Sequence, residues 1–393
     1  MHSTLTTTPR LAPTSVVHVS ESALKNNFEY LKSVIGDRCK ISHVVKGNAY
    51  GHGIETYVPL AKKHGAWHFS VFDAHEAEQV HRVAGNEVTI MIMGMIDDDQ
   101  LEWAIENGVE YFVFDKQRLE NSVKWAQKIG KKACVHIELE TGMNRTGFQK
   151  DNWYETAKYV KENEKWLCLK GMCTHYAGAE SIANFIRVYD QYDNFLAGVK
   201  EFEKAQLNAE KLHTACSAAS VRIPKTRMDM VRIGILQYGF WPSTETFVNT
   251  VGLKNKGKDP LQRLITWKSQ VMNIKTVPMG EYIGYGNSFL ATSEMKVAAV
   301  PVGYGHGFSR SLSNMGRVLI RGQRMSVIGM VNMNAMMVDV CDLDNVEIGD
   351  EVVLIGCQGE LDITVNAFGS FSDQMNYELL TRLPLDIPRT VVE

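Results

Sequence analysis

Several common features are missing from this 393-residue chain, and each absence closes a possibility. No apolar stretch approaches the roughly 18 residues needed to span a bilayer. Neither sign of charge dominates: 42 Lys and Arg stand against 45 Asp and Glu, a formal net charge of −3. Nucleic acid and anionic membrane surfaces are therefore not indicated as partners. The seven cysteines are odd in number and include no C-x-x-C pair. Several, such as Cys134, sit in apolar runs, which fits buried reduced thiols in a cytoplasmic protein and assigns no disulfide and no metal site. The first 15 residues hold seven Ser or Thr, one Arg and no acid. They lack the continuous apolar core of a secretory signal and read as a flexible polar segment. No G-x-G-x-x-G follows the first apolar run, which weakens a dinucleotide-binding reading.

What the chain does carry is a repeated alternation. Short apolar runs fall at 41–45, 67–72, 88–93, 111–114, 133–139, 167–174, 212–216 and 231–236. Helical patterns lie between several of them, at 55–64, 73–84, 97–107, 116–129 and 182–206, with Asp73 as a capping start and Gly130 as a stop. Strand and helix repeated over about 200 residues predict an α/β fold, a (β/α)8 TIM barrel. A doubly wound sheet is the competing reading of the same pattern. Past residue 245 the texture changes. Runs at 265–277, 296–302, 317–320, 336–340 and 351–355 are rich in Val, Ile and Met, with glycines rather than helices between them. They predict a mainly β C-terminal domain. The polar stretch 254–260 reads as an exposed loop. The expected organisation is a flexible segment over 1–15, a barrel over 16–245 and a β domain over 246–393.

Barrel enzymes build their sites at the C-terminal ends of the strands, so the residues just past each run are the candidates. The first run leads to Lys46, the fifth to Glu140 and on to Arg145, and the sixth to His175. The seventh leads to Cys216 and Ser217, and the eighth holds Arg232, Gly234 and Ile235. A lysine facing a core must be paired, neutralised or reacted, because a bare buried ammonium is costly. A Schiff base is one solution and lets an amine do carbonyl chemistry. On spacing alone the simpler accounts are a snorkelling Lys46, a surface ion pair for Arg232 and a helix cap for Ser217. A turn tyrosine for Tyr285 and a core methionine for Met333 are simpler in the same way.

The stretch 44–53, V-V-K-G-N-A-Y-G-H-G, resembles the cofactor-lysine signature of the alanine racemase family, V-V-K-A-N-A-Y-G-H-G, at nine of ten positions. The resemblance extends along almost the whole chain. It implies a barrel followed by a β domain, pyridoxal 5′-phosphate (PLP) as cofactor, and Lys46 as its Schiff-base partner. It further implies a homodimer in which the β domain of one subunit completes the active site of the other. The activity implied is that of an isomerase interconverting L- and D-alanine with two opposed bases. Lys46 matches one base. Tyr285, in Ile283-Gly284-Tyr285-Gly286-Asn287, matches the other, acting across the dimer. A tyrosine normally titrates near 10, so base action near neutrality requires lowering its pKa by about two, roughly 1.4 kcal/mol for each. His175 and Arg232 match the family's cationic network that does this.

The same resemblance places Arg232 against the pyridine nitrogen, where a permanent cation limits the ring as an electron sink and so limits transamination. Tyr50, Ser217, Gly234, Ile235 and Tyr377 match the positions that hold the phosphate. Arg145 matches the arginine near the cofactor's phenolic oxygen and the substrate carboxylate, and Met333 a substrate-facing methionine. Tyr304, Arg310 and Glu180 match the access corridor. Four positions depart from the family pattern. Glu138 stands where a carbamylated lysine is common and offers a charge without modification. Cys216 replaces an Asn beside Ser217, Asn334 replaces an Asp after Met333, and Met330 replaces a corridor Arg. The last three leave the racemase chemistry in place but open the substrate range toward serine or longer side chains. PLP-dependent decarboxylases share this two-domain plan, but their glycine-rich phosphate motif in the β domain is absent. A non-catalytic PLP-binding barrel would leave the C-terminal 150 or so residues unexplained.

Overall fold

The computed structural model describes residues 11, 13–252, 258–365, 368 and 376–393. The expected flexible segment over 1–15 and the loop at 254–260 fall largely outside them. The chain divides into two units. One comprises Ser22–Ala49 and Tyr57–Arg263; the other comprises the described part of 1–21 together with Tyr50–Thr56 and Leu264–Glu393. The first strand, β1 (Ser15–Ser20), belongs to the second of these.

The first unit is an eight-stranded parallel barrel. Its strands are β2 (Lys40–Val44), β3 (His68–Val71), β4 (Thr89–Ile92), β5 (Glu110–Val113), β6 (Ala133–Glu138), β7 (Leu167–Cys173), β8 (Leu212–His213) and β9 (Met230–Ile233). They run in the order β8-β7-β6-β5-β4-β3-β2-β9. The ring closes between β8 and β9 by single bonds rather than a ladder: Asp229 N–H donates to Leu212 O at 3.1 Å and Arg232 N–H to Ala215 O at 2.9 Å. Each expected run overlaps one of these strands, three of which (β2, β5 and β9) begin one residue earlier than expected. Both faces of a parallel barrel strand are covered, which is why such strands read as unbroken apolar runs; β3, β5 and β9 are buried at every position.

The return helices start and stop where local chemistry dictates. The helix Ala74–Ala84 begins after Asp73, whose carboxylate accepts Glu76 N–H. Lys116–Ile129 begins after Asp115 in the same way and ends at Gly130, left-handed at φ 75°, whose N–H returns to Ala126 O. Two helices that the sequence pattern passes over, Glu21–Ile35 and Trp153–Glu162, complete the repeat. Because every crossover returns the chain to the same end, all eight strands finish on one rim.

The second unit is a ten-stranded, largely antiparallel sheet. Its strands after β1 are β10 (Ile265–Gln270), β11 (Asn273–Val277), β12 (Met295–Val300), β13 (Arg317–Ile320), β14 (Gln323–Ile328), β15 (Met336–Asp339), β16 (Glu351–Gln358), β17 (Leu361–Ile363) and β18 (Arg389–Val392). The path is β11-β12-β15-β14-β13-β16-β10-β1-β18, with β17 on β16. Trp267 and Phe308 are fully buried here, their rings tilted by 48° with centroids 6.4 Å apart. The structure differs from the sequence expectation at two points. The run at 265–277 is two strands, broken where Val271 and Met272 N–H turn to Asp350 O and Ala299 O. Residue 16, the expected start of the barrel, lies inside β1, which pairs antiparallel with β10 and parallel with β18. Its alternating burial, with Val17 and Val19 inside, marks a half-covered sheet strand, and a strand directly preceding a helix imitates the first step of a βα repeat.

Candidate active site

Lys46 follows β2 directly and opens an unusual turn. Gly47, Asn48, Ala49 and Tyr50 all have positive φ, between 51° and 63°, so the chain makes a short left-handed turn. For non-glycine residues that conformation costs about 1–2 kcal/mol each. The turn is held from both sides. Ala49 N–H donates to Val45 O at 2.7 Å. The Glu76 carboxylate accepts Gly47 N–H at 2.6 Å and Asn48 N–H at 3.2 Å on one oxygen and Phe72 N–H at 2.9 Å on the other. Glu76 thus ties the turn to the end of β3. Sequence reasoning missed it, because the pairing spans 28 to 29 positions and a first-turn glutamate is commonplace.

Around Lys46 the barrel rim gathers positive charge. The Lys46 ammonium is pushed below its ordinary pKa by burial, then by Arg145, with Arg232 adding to the effect and Glu76 opposing it. His175 is pushed down to about 3 by burial and by the charges of Arg232, Arg145 and Lys46. Four residues from the ends of β2, β6, β7 and β9 therefore share one electrostatic site, with His175 neutral within it. The Arg145 loop is shaped by Glu140, whose carboxylate accepts the N–H groups of Gly142, Asn144 and Arg145, the last two at 2.7 and 3.3 Å. Glu140 appears in the sequence only as a step on the way to Arg145. Glu138 is buried, and burial raises its pKa against the hydrogen bond of Thr146 and the charges of Arg232 and Arg145. Its second oxygen has no hydrogen-bond partner among the described residues.

Arg232 is 5% exposed and heavily bonded. Its Nη1 donates to His213 Nδ1 at 2.5 Å and His213 O at 2.7 Å, and Nη2 to Thr174 O at 2.7 Å and Thr214 O at 3.3 Å. Four of five guanidinium N–H groups are thereby used, and Nε–H has no protein partner among the described residues. Nearby, Gly234 N–H donates to Ser217 Oγ at 2.9 Å, joining two expected phosphate-site residues. Cys216 precedes the short helix Ser217–Arg222, and burial raises its thiol pKa. Ile235 is buried just past Gly234.

All but one of the remaining candidates lie in the second unit. Tyr50 and Tyr377 face each other with ring centroids 6.0 Å apart. Tyr285, Tyr304 and Met333 sit on neighbouring loops. Tyr304 N–H donates to Asn332 O and Gly305 N–H to Met333 O, both at 2.9 Å. The backbone of Gly329 passes so close to Ile283 O that a Cβ there would lie 2.7 Å from it. Tyr285 is 74% exposed and Met333 57% exposed. Asn334 and Arg310 are also exposed, and Met330 is half-buried, on the same loops. Glu180 belongs to the barrel unit and is exposed, its carbonyl accepting the Ser243 hydroxyl at 2.6 Å.

Both parts of the chain resemble known proteins. The family described as "Alanine racemase, N-terminal domain" matches residues 19–242, and "Alanine racemase, C-terminal domain" matches residues 264–391. "Alanine racemase 1" of Caldanaerobacter subterraneus subsp. tengcongensis is 32% identical over 374 residues, covering 95% of this chain and 93% of that protein. The alanine racemase of Clostridium difficile 630 superposes with a TM-score of 0.89 at 28% identity, over 98% of this chain and 97% of that one. That of Bacillus anthracis, solved with bound L-Ala-P, gives 0.87 at 30% identity, over 98% and 96%. No helix among the described residues is long and apolar enough to cross a membrane. With both of its units matched in order and nearly end to end, the chain belongs to the alanine racemase family.

Proposed function

We propose that this protein is an alanine racemase that interconverts L- and D-alanine with PLP as cofactor and two opposed bases. The observation that carries the reading is the convergence of Lys46, Arg145, His175 and Arg232 on one barrel rim, with the lysine's ammonium destabilised. A cationic cluster around an amine of lowered pKa fits an anionic aldehyde bearing a phosphate: the amine is available as a nucleophile and the guanidinium groups balance the charge. When bound, PLP supplies the electron sink that stabilises charge released from the Cα–H bond. Lys46 would anchor the cofactor, with Tyr50, Ser217, Gly234, Ile235 and Tyr377 at its phosphate and the free Nε–H of Arg232 at its ring nitrogen. His175 stays neutral beside Arg232, and Arg145 offers its charge to the substrate carboxylate.

With PLP bound, Lys46 would hold the proton on one face of Cα. Tyr285 of a second copy would hold the proton on the other. Its exposure, and that of Met333 and Tyr304 on neighbouring loops, supports a homodimer in which these loops complete the partner's site. The test is hydrogen exchange at Cα in deuterium oxide. Lys46→Ala is expected to lose the visible absorption of bound PLP and all turnover. Tyr285→Phe is expected to keep the absorption and lose proton transfer from one enantiomer far more than from the other. Equal Cα hydrogen exchange from both enantiomers in Tyr285→Phe would defeat the two-base assignment. The neutral Asn334, exposed beside Met333, favours a wider substrate range as a second reading. Racemisation of serine at rates within about tenfold of alanine, a difference of about 1.4 kcal/mol, would support it.

A further inference from the structure

Beneath the Lys46 rim, the barrel interior carries a line of polar groups that the reaction described above does not use. From Arg232 the line passes through His213 and His136 to Glu110. His213 Nε2 lies 2.8 Å from His136 Nδ1, and His136 Nε2 lies 2.7 Å from Glu110 Oε2. All four residues are at most 5% exposed. Phe112 covers the line, with Arg232, His213 and His136 at 5.9, 5.8 and 6.1 Å from its ring. Gly171 leaves the space, since a Cβ there would collide with His136. The far end is braced by His68 Nε2 at 3.5 Å from Glu110 Oε2 and Lys211 Nζ at 3.6 Å from Oε1. The line is hydrogen-bonded throughout, by contacts of 2.5, 2.8 and 2.7 Å from Arg232 to Glu110.

Its direction follows from its ends. A guanidinium only donates and a carboxylate only accepts. Arg232 therefore donates to a bare Nδ1 on His213, which must carry its hydrogen on Nε2. That hydrogen goes to a bare Nδ1 on His136, whose Nε2–H goes to Glu110. A proton added to His136 would set two donors against each other at His213, so both rings are neutral. Burial, the largest effect on each, pushes both histidines below their ordinary pKa in agreement.

We propose that Glu110 is a positioning residue for the reaction: through two neutral Nε2–H histidines it presents Arg232 with a lone pair, and so fixes the guanidinium whose remaining N–H faces the ring nitrogen. Without the carboxylate, His136 and His213 are free to reverse, which puts an N–H of His213 against an N–H of Arg232 and displaces the cation. The proposal rests on the placement of Arg232 given under the proposed function, and its order of hydrogens stands apart from it.

Two measurements on the PLP-loaded enzyme test it. Nitrogen NMR of labelled histidines at neutral pH is expected to show Nε2–H on both His136 and His213; Nδ1–H or a doubly protonated ring on either overturns the proposal without any variant. The second is keto-acid release per racemisation event, which rises when the cation leaves the ring nitrogen. Glu110→Leu is expected to raise it about tenfold, the loss of one good hydrogen bond, while Glu110→Gln, which keeps an acceptor oxygen, stays within about threefold of the unmodified enzyme. Leu and Gln variants that match each other in keto-acid release and histidine tautomers, differing only in melting temperature, would make Glu110 an ordinary core group. If the unmodified enzyme racemises nothing, the functional reading fails, and the tautomers alone decide the order of the line.

Discussion

Single residues in this protein are constrained by what they can and cannot donate. Arg232 gives four N–H groups to fixed acceptors and keeps one, a division that only a planar five-donor fork permits. Gly171 is constrained by space: any side chain there meets His136 and then His213. Gly171→Ala is accordingly expected to destabilise the fold by about 1–3 kcal/mol, read from urea unfolding, and to disturb the histidine line in the same step. A fully stable Gly171→Ala would show that the histidines yield without cost. Lys46, Arg145, His175, Ser217 and Arg232 were legible as candidates in the sequence because each lies in an apolar run, within a few residues past one, or inside a long signature. Glu76 and Glu110 were not. The Gly47, Asn48 and His136 groups that they hold lie 26 to 29 positions away, so no local spacing announces them.

At the level of elements, the left-handed turn after β2 is the feature most exposed to mutation. Glu76→Ala removes the acceptor of three N–H groups and is expected to cost about 1–3 kcal/mol, seen as a lower melting temperature. It should also slow the reaction of Lys46 with added PLP, since the turn that starts at the lysine loses its outer tie; unchanged association kinetics would show that the turn holds itself. Gly47→Ala puts a methyl group at φ 63° and is expected to cost about 1 kcal/mol, with activity retained. Strands divide by legibility in a physical way. The barrel strands are covered on both faces and show as continuous apolar runs. β1, β14 and β18 are covered on one face or lie at an edge, and their alternation merges with the surrounding polar sequence. The helix starts at Asp73 and Asp115 carry the same capping bond, yet only the first stood out in the sequence as a cap.

For the molecule as a whole, buried histidines set the response to acid. His43 is pushed down to about 4 and His175 to about 3, in each case by burial first, while an exposed imidazole in the unfolded chain titrates near 6.5. The folded protein thus binds fewer protons than the unfolded chain between about 4 and 6.5. Stability is complete above 6.5 and falls as the pH drops through that window. At pH 5 these two groups alone should take up roughly two protons on unfolding, a slope near 2.7 kcal/mol per pH unit. Urea midpoints measured from pH 7 to pH 4.5 check this, and a flat profile would contradict it. A different whole-chain consequence follows from β1, seated between β10 and β18 with Val17 opposite Arg389. On the ribosome β1 leaves the exit tunnel long before β18 and waits for it before that edge is covered. The barrel, whose strands all lie between residues 40 and 233, has no such wait. Synthesis should therefore pass through a stage with a finished barrel and an unpaired β1, when chaperone contact with that strand is most useful.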